Sequence, residues 1–111
     1  SFGLNGIEFD TAIRHNIPFV CVIGNDEAWG MIKHSQAMTY GTNRVVGSQL
    51  GVRHYEQMVE GLGGYGEFIT DPKDIRAALE RGFASGKPAC LNVMTDPRVM
   101  SEGAKFLSDM M

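Results

Sequence analysis

Two apolar runs of strand length constrain the fold of this chain more than any other feature. Residues 18–23 read PFVCVI and residues 88–94 read PACLNVM. Neither run alternates apolar with polar residues, and this is typical of parallel strands that are covered on both faces. A third, shorter strand is predicted over residues 66–70, which read GEFIT.

Helical patterns separate these strands. In the first helix, Asn5 is predicted to be the N-cap and Glu8 to complete a capping box, with the helix ending near Asn16 ahead of Pro18. Asp71 with Pro72 marks another start, since the aspartate suits the N-cap and proline the first helical position. The remaining predicted helices cover residues 28–36, 54–62 and 101–110, and residues 37–50 are predicted to be mostly loop.

The helix that follows Asp71 carries a clear apolar stripe. Ile75, Ala78, Leu79 and Phe83 recur at helical spacing and are predicted to be buried, with Gly86 as the stop. The stripe indicates a helix that packs against the sheet.

Alternation of helices and strands predicts an α/β fold, a three-layer Rossmann-like parallel sheet flanked by helices. Three strands are few for such a sheet, and the chain begins at Ser1 rather than at a methionine. We therefore expect a fold truncated at its N-terminus, with residues 1–111 forming part of a single domain of a longer protein.

Composition excludes several functional classes. The 111 residues carry a net charge of −3, which gives no electrostatic footprint for nucleic acid. The chain has no apolar run of the ~20 residues that a membrane span needs. Cys21 and Cys90 lie inside apolar runs without metal-type spacing, so we expect reduced core cysteines and a cytoplasmic protein.

Polar residues follow the first strand abruptly, at Asn25 and Asp26. Ligands of open α/β sheets bind beyond the carboxyl ends of the strands, and helix N-termini favour phosphates. Mg²⁺ commonly bridges a carboxylate to such a phosphate. Asp26 therefore fits a magnesium-bound phosphate, although the spacing alone favours a solvated strand-to-helix turn with Asp26 as the N-cap.

Three segments resemble the thiamine-diphosphate-dependent enzymes. Residues 1–12 look like the helix after their Gly-Asp-Gly motif, residues 17–23 resemble the next strand, and residues 25–32, NDEAWGMI, are similar to their Asn-Asn-x-x-x-Gly-Met segment. The 24 residues before Asn25 match the usual gap from Gly-Asp-Gly. Within the family, residues 29–34 and 40–47 look most like the acetolactate synthase group.

The resemblance implies roles for five residues. Asp26, through its side chain, and Ala28, through its carbonyl, would hold Mg²⁺. Ser1 would contact the cofactor diphosphate, Gly30 would let the backbone approach the cofactor, and Met31 would lie near the thiazolium. No catalytic residue is assigned, because the family's essential glutamate belongs to another domain. Asp26 departs from the usual asparagine but keeps an oxygen ligand.

The function that the resemblance implies is that of a thiamine-diphosphate- and Mg-dependent enzyme of the acetolactate synthase-like group. Such an enzyme decarboxylates or ligates 2-oxo acids, works as a homo-oligomer (dimer or tetramer) and builds its active site between subunits. The 111-residue chain alone is therefore expected to be inactive. The alternatives are a non-catalytic phosphate-binding module, a 2-oxo acid decarboxylase, and an aldehyde or acyl-CoA lyase.

Overall fold

The computed structural model describes residues 2–28, 30–41, 47 and 50–96. Five α-helices and three strands are placed there: α1 Phe2–Asn5, α2 Phe9–Arg14, β1 Val20–Asn25, α3 Gly30–Tyr40, α4 Tyr55–Leu62, β2 Tyr65–Ile69, α5 Ile75–Ala84 and β3 Ala89–Met94. Two 3₁₀ turns, Gly6–Glu8 and Pro72–Asp74, precede α2 and α5. The predicted helix over residues 101–110 lies outside the described residues.

Contacts divide the described chain into two compact units. The first unit contains the described residues up to Asn25 and those from His54 to Thr95, and it holds the whole sheet. The second contains the described residues between Asp26 and Arg53, including α3, together with Asp96.

The sheet is parallel throughout and has the strand order β1-β3-β2. Ala89 of the central strand is in register with Val20 on one side and Tyr65 on the other. β1 and β3 are neighbours although β2 lies between them in the sequence, and helical crossovers connect these parallel strands, as the alternating pattern predicted.

Helices of the first unit cover both faces of β3, which gives three layers. Cys90 faces a cluster with Phe9 of α2 and Val59 of α4. Its neighbour Leu91 faces the opposite cluster, with Ala78 of α5. Successive side chains of a strand point to opposite faces, and both faces of β3 are covered by apolar clusters. Apolar residues are therefore needed at successive positions, which explains why β3 does not alternate polar with apolar residues. The predicted parallel α/β sheet flanked by helices is confirmed.

Helix starts followed local chemistry in one case and departed from it in another. Asp71 caps as predicted, because its Oδ1 accepts a hydrogen bond from the Lys73 amide at 3.0 Å. The capping box at Asn5 was wrong: helix begins already at Phe2, and the Asn5 side chain makes no cap hydrogen bond. Glu8 instead accepts a hydrogen bond from the Thr11 hydroxyl at 3.0 Å.

The apolar stripe of α5 was only partly right. Ala78 is fully buried, but Phe83 is 70% exposed. Gly82 takes the inward position, where an added Cβ would contact Val20 and Ala89 at 3.4 and 3.5 Å. Position 82 lies two helical turns after position 75 on the same face, whereas position 83 is rotated about 100° from position 82, towards the edge of that face.

Several boundaries also differ from the predicted ones, among them the ends of α3 and β1. α3 continues to Tyr40, four residues beyond its predicted end, and β1 continues to Asn25 rather than ending at Ile23. In the described residues, no helix is both long enough and apolar enough to span a membrane.

Candidate functional site

The carboxyl end of β1 is joined to β3 through its backbone. Asn25, the last residue of β1, is in register with Met94, and its main-chain carbonyl accepts a hydrogen bond from the Thr95 amide at 2.9 Å. All three strands are parallel, so their carboxyl ends meet at this edge, the usual ligand edge of an open α/β sheet.

Asp26 and Ala28 form a tight turn directly after this strand. The Asp26 Oδ1 accepts a hydrogen bond from the Ala28 amide at 3.2 Å, and Glu27 between them has a left-handed backbone with φ of +63°. The Glu27 carbonyl accepts hydrogen bonds from the amides of Leu50 and Gly51, at 2.8 and 2.9 Å. These contacts hold the turn within the second unit.

This turn offers hard oxygen donors. The carboxylate of Asp26 and the main-chain carbonyl of Ala28 are both ligand types that Mg²⁺ prefers. A carboxylate has about four lone-pair positions, so one hydrogen bond within the turn does not exhaust its capacity as a ligand. Chemically, these two oxygen donors would fit a magnesium ion.

The other predicted site residues are placed less fully. Gly30 and Met31 are the first two residues of α3, so they follow the turn as the sequence predicted. Ser1 lies outside the described residues, as does Trp29. Among the residues that are described, no three histidine, cysteine or acidic side chains form a metal-binding group.

A buried chain of polar side chains reaches the end of β1 from α4. The Asn25 Nδ2 donates to the Asn92 Oδ1 at 2.9 Å, and the Asn92 Nδ2 donates to the Glu56 Oε2 at 3.0 Å. His54 Nδ1 lies 2.7 Å from the other Glu56 oxygen. Asn25, Asn92 and Glu56 are 7%, 0% and 3% exposed, while 45% of the His54 side chain is exposed.

Gly66 explains how a glutamate in the first turn of α4 is buried so close to the sheet. A Cβ at this position of β2 would collide with the main-chain carbonyl group of Glu56. Glycine therefore lets the first turn of α4 approach the strand closely, since it has no Cβ. Close approach brings the Glu56 carboxylate within reach of Asn92 on the central strand.

The two cysteines are free thiols held in the sheet. They are register partners on β1 and β3. Burial raises the pKa of the Cys21 thiol, and it raises that of Cys90 to about 12. Thiols with raised pKa values are poor nucleophiles, so the described site includes no activated cysteine.

Sequence reasoning missed Glu56 and Asn92. Two signals were available: Asn92 is the one polar residue in the run PACLNVM, and Glu56 lies three residues before the buried Val59. Buried polar side chains are usually hydrogen-bonded to one another, so an amide inside a core strand predicts a polar partner. The pattern alone did not identify which residue that partner is.

Comparison with known proteins agrees with the resemblance seen in the sequence. Residues 1–93 match the family described as thiamine pyrophosphate enzyme, C-terminal TPP binding domain. A probable acetolactate synthase of Mycobacterium bovis is 48% identical over 99 residues, which are 89% of this chain and 18% of that protein. The acetolactate synthase large subunit IlvG of Mycobacterium tuberculosis matches equally.

Relatives with lower sequence identity include proteins named as 2-hydroxyacyl-CoA lyases. The 2-hydroxyacyl-CoA lyase 2 of Danio rerio is 31% identical over 109 residues, covering 94% of this chain and 17% of the lyase. The chain thus spans less than a fifth of the length of these relatives.

Proposed function

The chain belongs to the thiamine pyrophosphate enzyme family through its C-terminal TPP-binding domain, and from this premise we propose that the full-length protein is a thiamine-diphosphate- and Mg-dependent enzyme. We place it in the acetolactate synthase-like group, which acts on 2-oxo acids by decarboxylation and carboligation. The 48% identity to two acetolactate synthases supports this choice. Residues 1–111 are proposed to be part of a single cofactor-binding domain.

The observation that carries the proposal is the turn at Asp26–Ala28, directly after β1. It puts a carboxylate and a main-chain carbonyl within three residues of the ligand edge of a parallel sheet. We assign both groups as magnesium ligands. Gly30 is proposed to allow close approach of the cofactor, Met31 to lie beside the thiazolium, and Ser1 to contact the diphosphate.

Thiamine diphosphate, when bound, supplies an acidic carbon that attacks a carbonyl substrate and stabilises the negative charge left by bond cleavage. The part of this chain in that chemistry is binding and orientation. Asp26 and Ala28 would hold the metal ion that anchors the diphosphate, and the chain enters this turn directly from β1. No described side chain is assigned a proton-transfer role.

A second candidate function is a 2-hydroxyacyl-CoA lyase. The match to lyases along 94% of this chain supports it, because the cofactor domain is shared while substrate contacts lie largely elsewhere. We propose in either case a small-molecule substrate, a homo-oligomer and a cytoplasmic enzyme. The free thiols of both cysteines support that compartment.

The test is titration calorimetry of the full-length protein with thiamine diphosphate, in magnesium and again in EDTA. We expect magnesium-dependent binding that Asp26→Ala weakens at least tenfold, or ~1.4 kcal/mol. Asp26→Asn keeps an oxygen ligand and is expected to keep binding. Asp74→Ala, which removes an exposed carboxylate in the other unit, serves as the matched control.

Outcomes separate the candidates. Equal binding by Asp26→Ala and wild type would refute the metal assignment, and absence of binding by the wild type would leave the non-catalytic module as the better description. With binding established, incubation with pyruvate tests for carboligation through acetolactate formation. A separate incubation with a 2-hydroxyacyl-CoA tests for lyase activity through cleavage of that thioester substrate.

A further inference from the structure

We propose that Glu56 and Asn92 are positioning residues for the magnesium-binding turn, which they act on through Asn25. This inference rests on the proposed function, because it concerns the same site. Its basis is the buried chain from the first turn of α4, across the central strand, to the last residue of β1. Asp26, the proposed metal ligand, is the next residue in the chain.

Both hydrogen bonds between these three side chains are donated in the same direction, from Asn25 to Asn92 and from Asn92 to Glu56. Carboxylate oxygens only accept, so the Asn92 side chain must turn its Nδ2 towards Glu56. Its Oδ1 then faces β1 and accepts from the Asn25 Nδ2. The carboxylate on α4 therefore sets which way the amide of Asn25 is turned, although the two groups are not in contact.

Asn25 is held by the segment of β3 at two points. Its side chain bonds to Asn92, and its main-chain carbonyl bonds to the amide of Thr95. Two attachments limit both sliding and rotation of the strand end, which is the point from which the chain leaves the sheet towards Asp26. Metal and cofactor sites need their ligands held within ~0.5 Å, and supporting hydrogen bonds provide this.

The burial of these hydrogen-bonded side chains indicates that their role is to orient Asn25. A carboxylate that is 3% exposed is costly to remove from water, and apolar residues of similar volume would fill the same space at least as favourably. Gly66 is part of the same arrangement, because it admits the backbone of Glu56 next to β2. Apolar side chains in these positions would not orient the side-chain amide of Asn25, because they neither donate nor accept hydrogen bonds.

A charge-exchange experiment tests the proposal in the full-length protein. Asn92→Asp alone places two carboxylates against each other inside the protein. We expect the magnesium concentration for half-maximal thiamine diphosphate binding to rise about tenfold or more, the usual effect of losing a group that supports a metal ligand. Hydrogen exchange is also measured without metal or cofactor. Asn92→Asp should accelerate exchange at the end of β1, relative to wild type, by more than it accelerates exchange in α5.

The double variant Glu56→Gln with Asn92→Asp restores the pairing. The new amide donates to the new carboxylate, which still accepts from the Asn25 Nδ2, and the remaining amide oxygen accepts from His54. We expect the magnesium requirement to return to within about threefold of wild type. The double variant and the wild type each have one carboxylate in this pair, so the net charge of the site is the same in both.

Val59→Ala is the matched control for a purely structural effect. Val59 is fully buried one turn further along α4, where it belongs to the apolar cluster with Phe9 and Cys90. This variant should lower stability but leave the magnesium requirement unchanged. If Val59→Ala and Asn92→Asp change that requirement equally, or if the double variant is no better than Asn92→Asp, the inference is wrong. Failure of the wild type to bind cofactor would refute the proposed function instead. The exchange rates at the end of β1, measured without cofactor, would still decide whether the hydrogen bonds of Glu56 and Asn92 hold this strand in place.

Discussion

Replacing Gly66 with alanine should loosen the contact between β2 and α4. The added Cβ would lie 2.9 Å from the carbonyl carbon and 3.0 Å from the Cβ of Glu56, and still closer to the carbonyl oxygen. Ordinary van der Waals contact begins near 3.4 Å. Two of these three atoms belong to the main chain, so no side-chain rotation relieves the collision and the first turn of α4 must move.

Overpacking of this kind costs about 1–3 kcal/mol, and we expect about 3 kcal/mol because backbone must shift. Every ~1.4 kcal/mol is a factor of ten, so amides of α4 should exchange with solvent roughly 100-fold faster. Hydrogen–deuterium exchange of the full-length protein measures this locally, which avoids assuming that a multidomain protein unfolds in one step.

Gly61→Ala is the control within the same helix. An alanine Cβ at Gly61 would meet nothing within 4 Å, and alanine favours helix over glycine by ~1 kcal/mol. The two glycine-to-alanine changes should therefore shift exchange in α4 in opposite directions. Unchanged or slower exchange in Gly66→Ala would refute the close-approach argument, and with it the reason given for the burial of Glu56.

Three further predictions concern single residues. Glu27→Gly should be more stable than Glu27→Ala by about 1 kcal/mol, because both lose the carboxylate but only alanine keeps a Cβ at φ of +63°. The measurement is hydrogen exchange of the Leu50 and Gly51 amides, which bond to the carbonyl of residue 27 and should exchange more slowly in Glu27→Gly; equal rates would contradict this. Asp71→Ala should cost about 1 kcal/mol by removing the N-cap bond to Lys73, measured as faster exchange in α5, and an unchanged rate would show that the cap is dispensable. Hydrogen bonds from Arg81 lower the pKa of Glu67, so this carboxylate stabilises the fold above its ordinary pKa near 4.5 and loses that effect as the pH falls through its lowered value. Exchange in β2 should thus be faster in Glu67→Gln than in wild type at pH 7, with the difference vanishing at low pH; a difference independent of pH would exclude the charge as its cause.

Patterns that depend on burial were predictable from the sequence. The runs at residues 18–23 and 88–94 became β1 and β3, and Asp71 capped its helix, because each depends on neighbours in the chain or on burial of a whole segment. The parallel arrangement followed from the same patterns. The family resemblance was confirmed by the match over residues 1–93.

Features that depend on partners distant in sequence were not predictable. Asn25 belongs to the strand rather than to the turn, because Asn92 and Thr95 supply its hydrogen bonds. Glu56 is buried because Gly66 admits it and Asn92 pairs with it. The amide inside the run PACLNVM predicts a polar partner for Asn92, but nothing in the local sequence identifies which residue that partner is. The roles of Asp26, Ala28, Gly30, Met31 and Ser1 stay predictions until cofactor binding is measured.

The position of β3 in the middle of the sheet has a consequence for how the chain folds. β1 and β2 do not pair with each other, and Val20 finds its register partner Ala89 about 70 residues later. During synthesis, which proceeds from the N-terminus, β1 and β2 therefore emerge before β3, the strand that lies between them. Pairings this distant also slow folding, because loop closure precedes their contacts. The pairings of β1 and β2 with β3 should thus form only after β3 has left the ribosome.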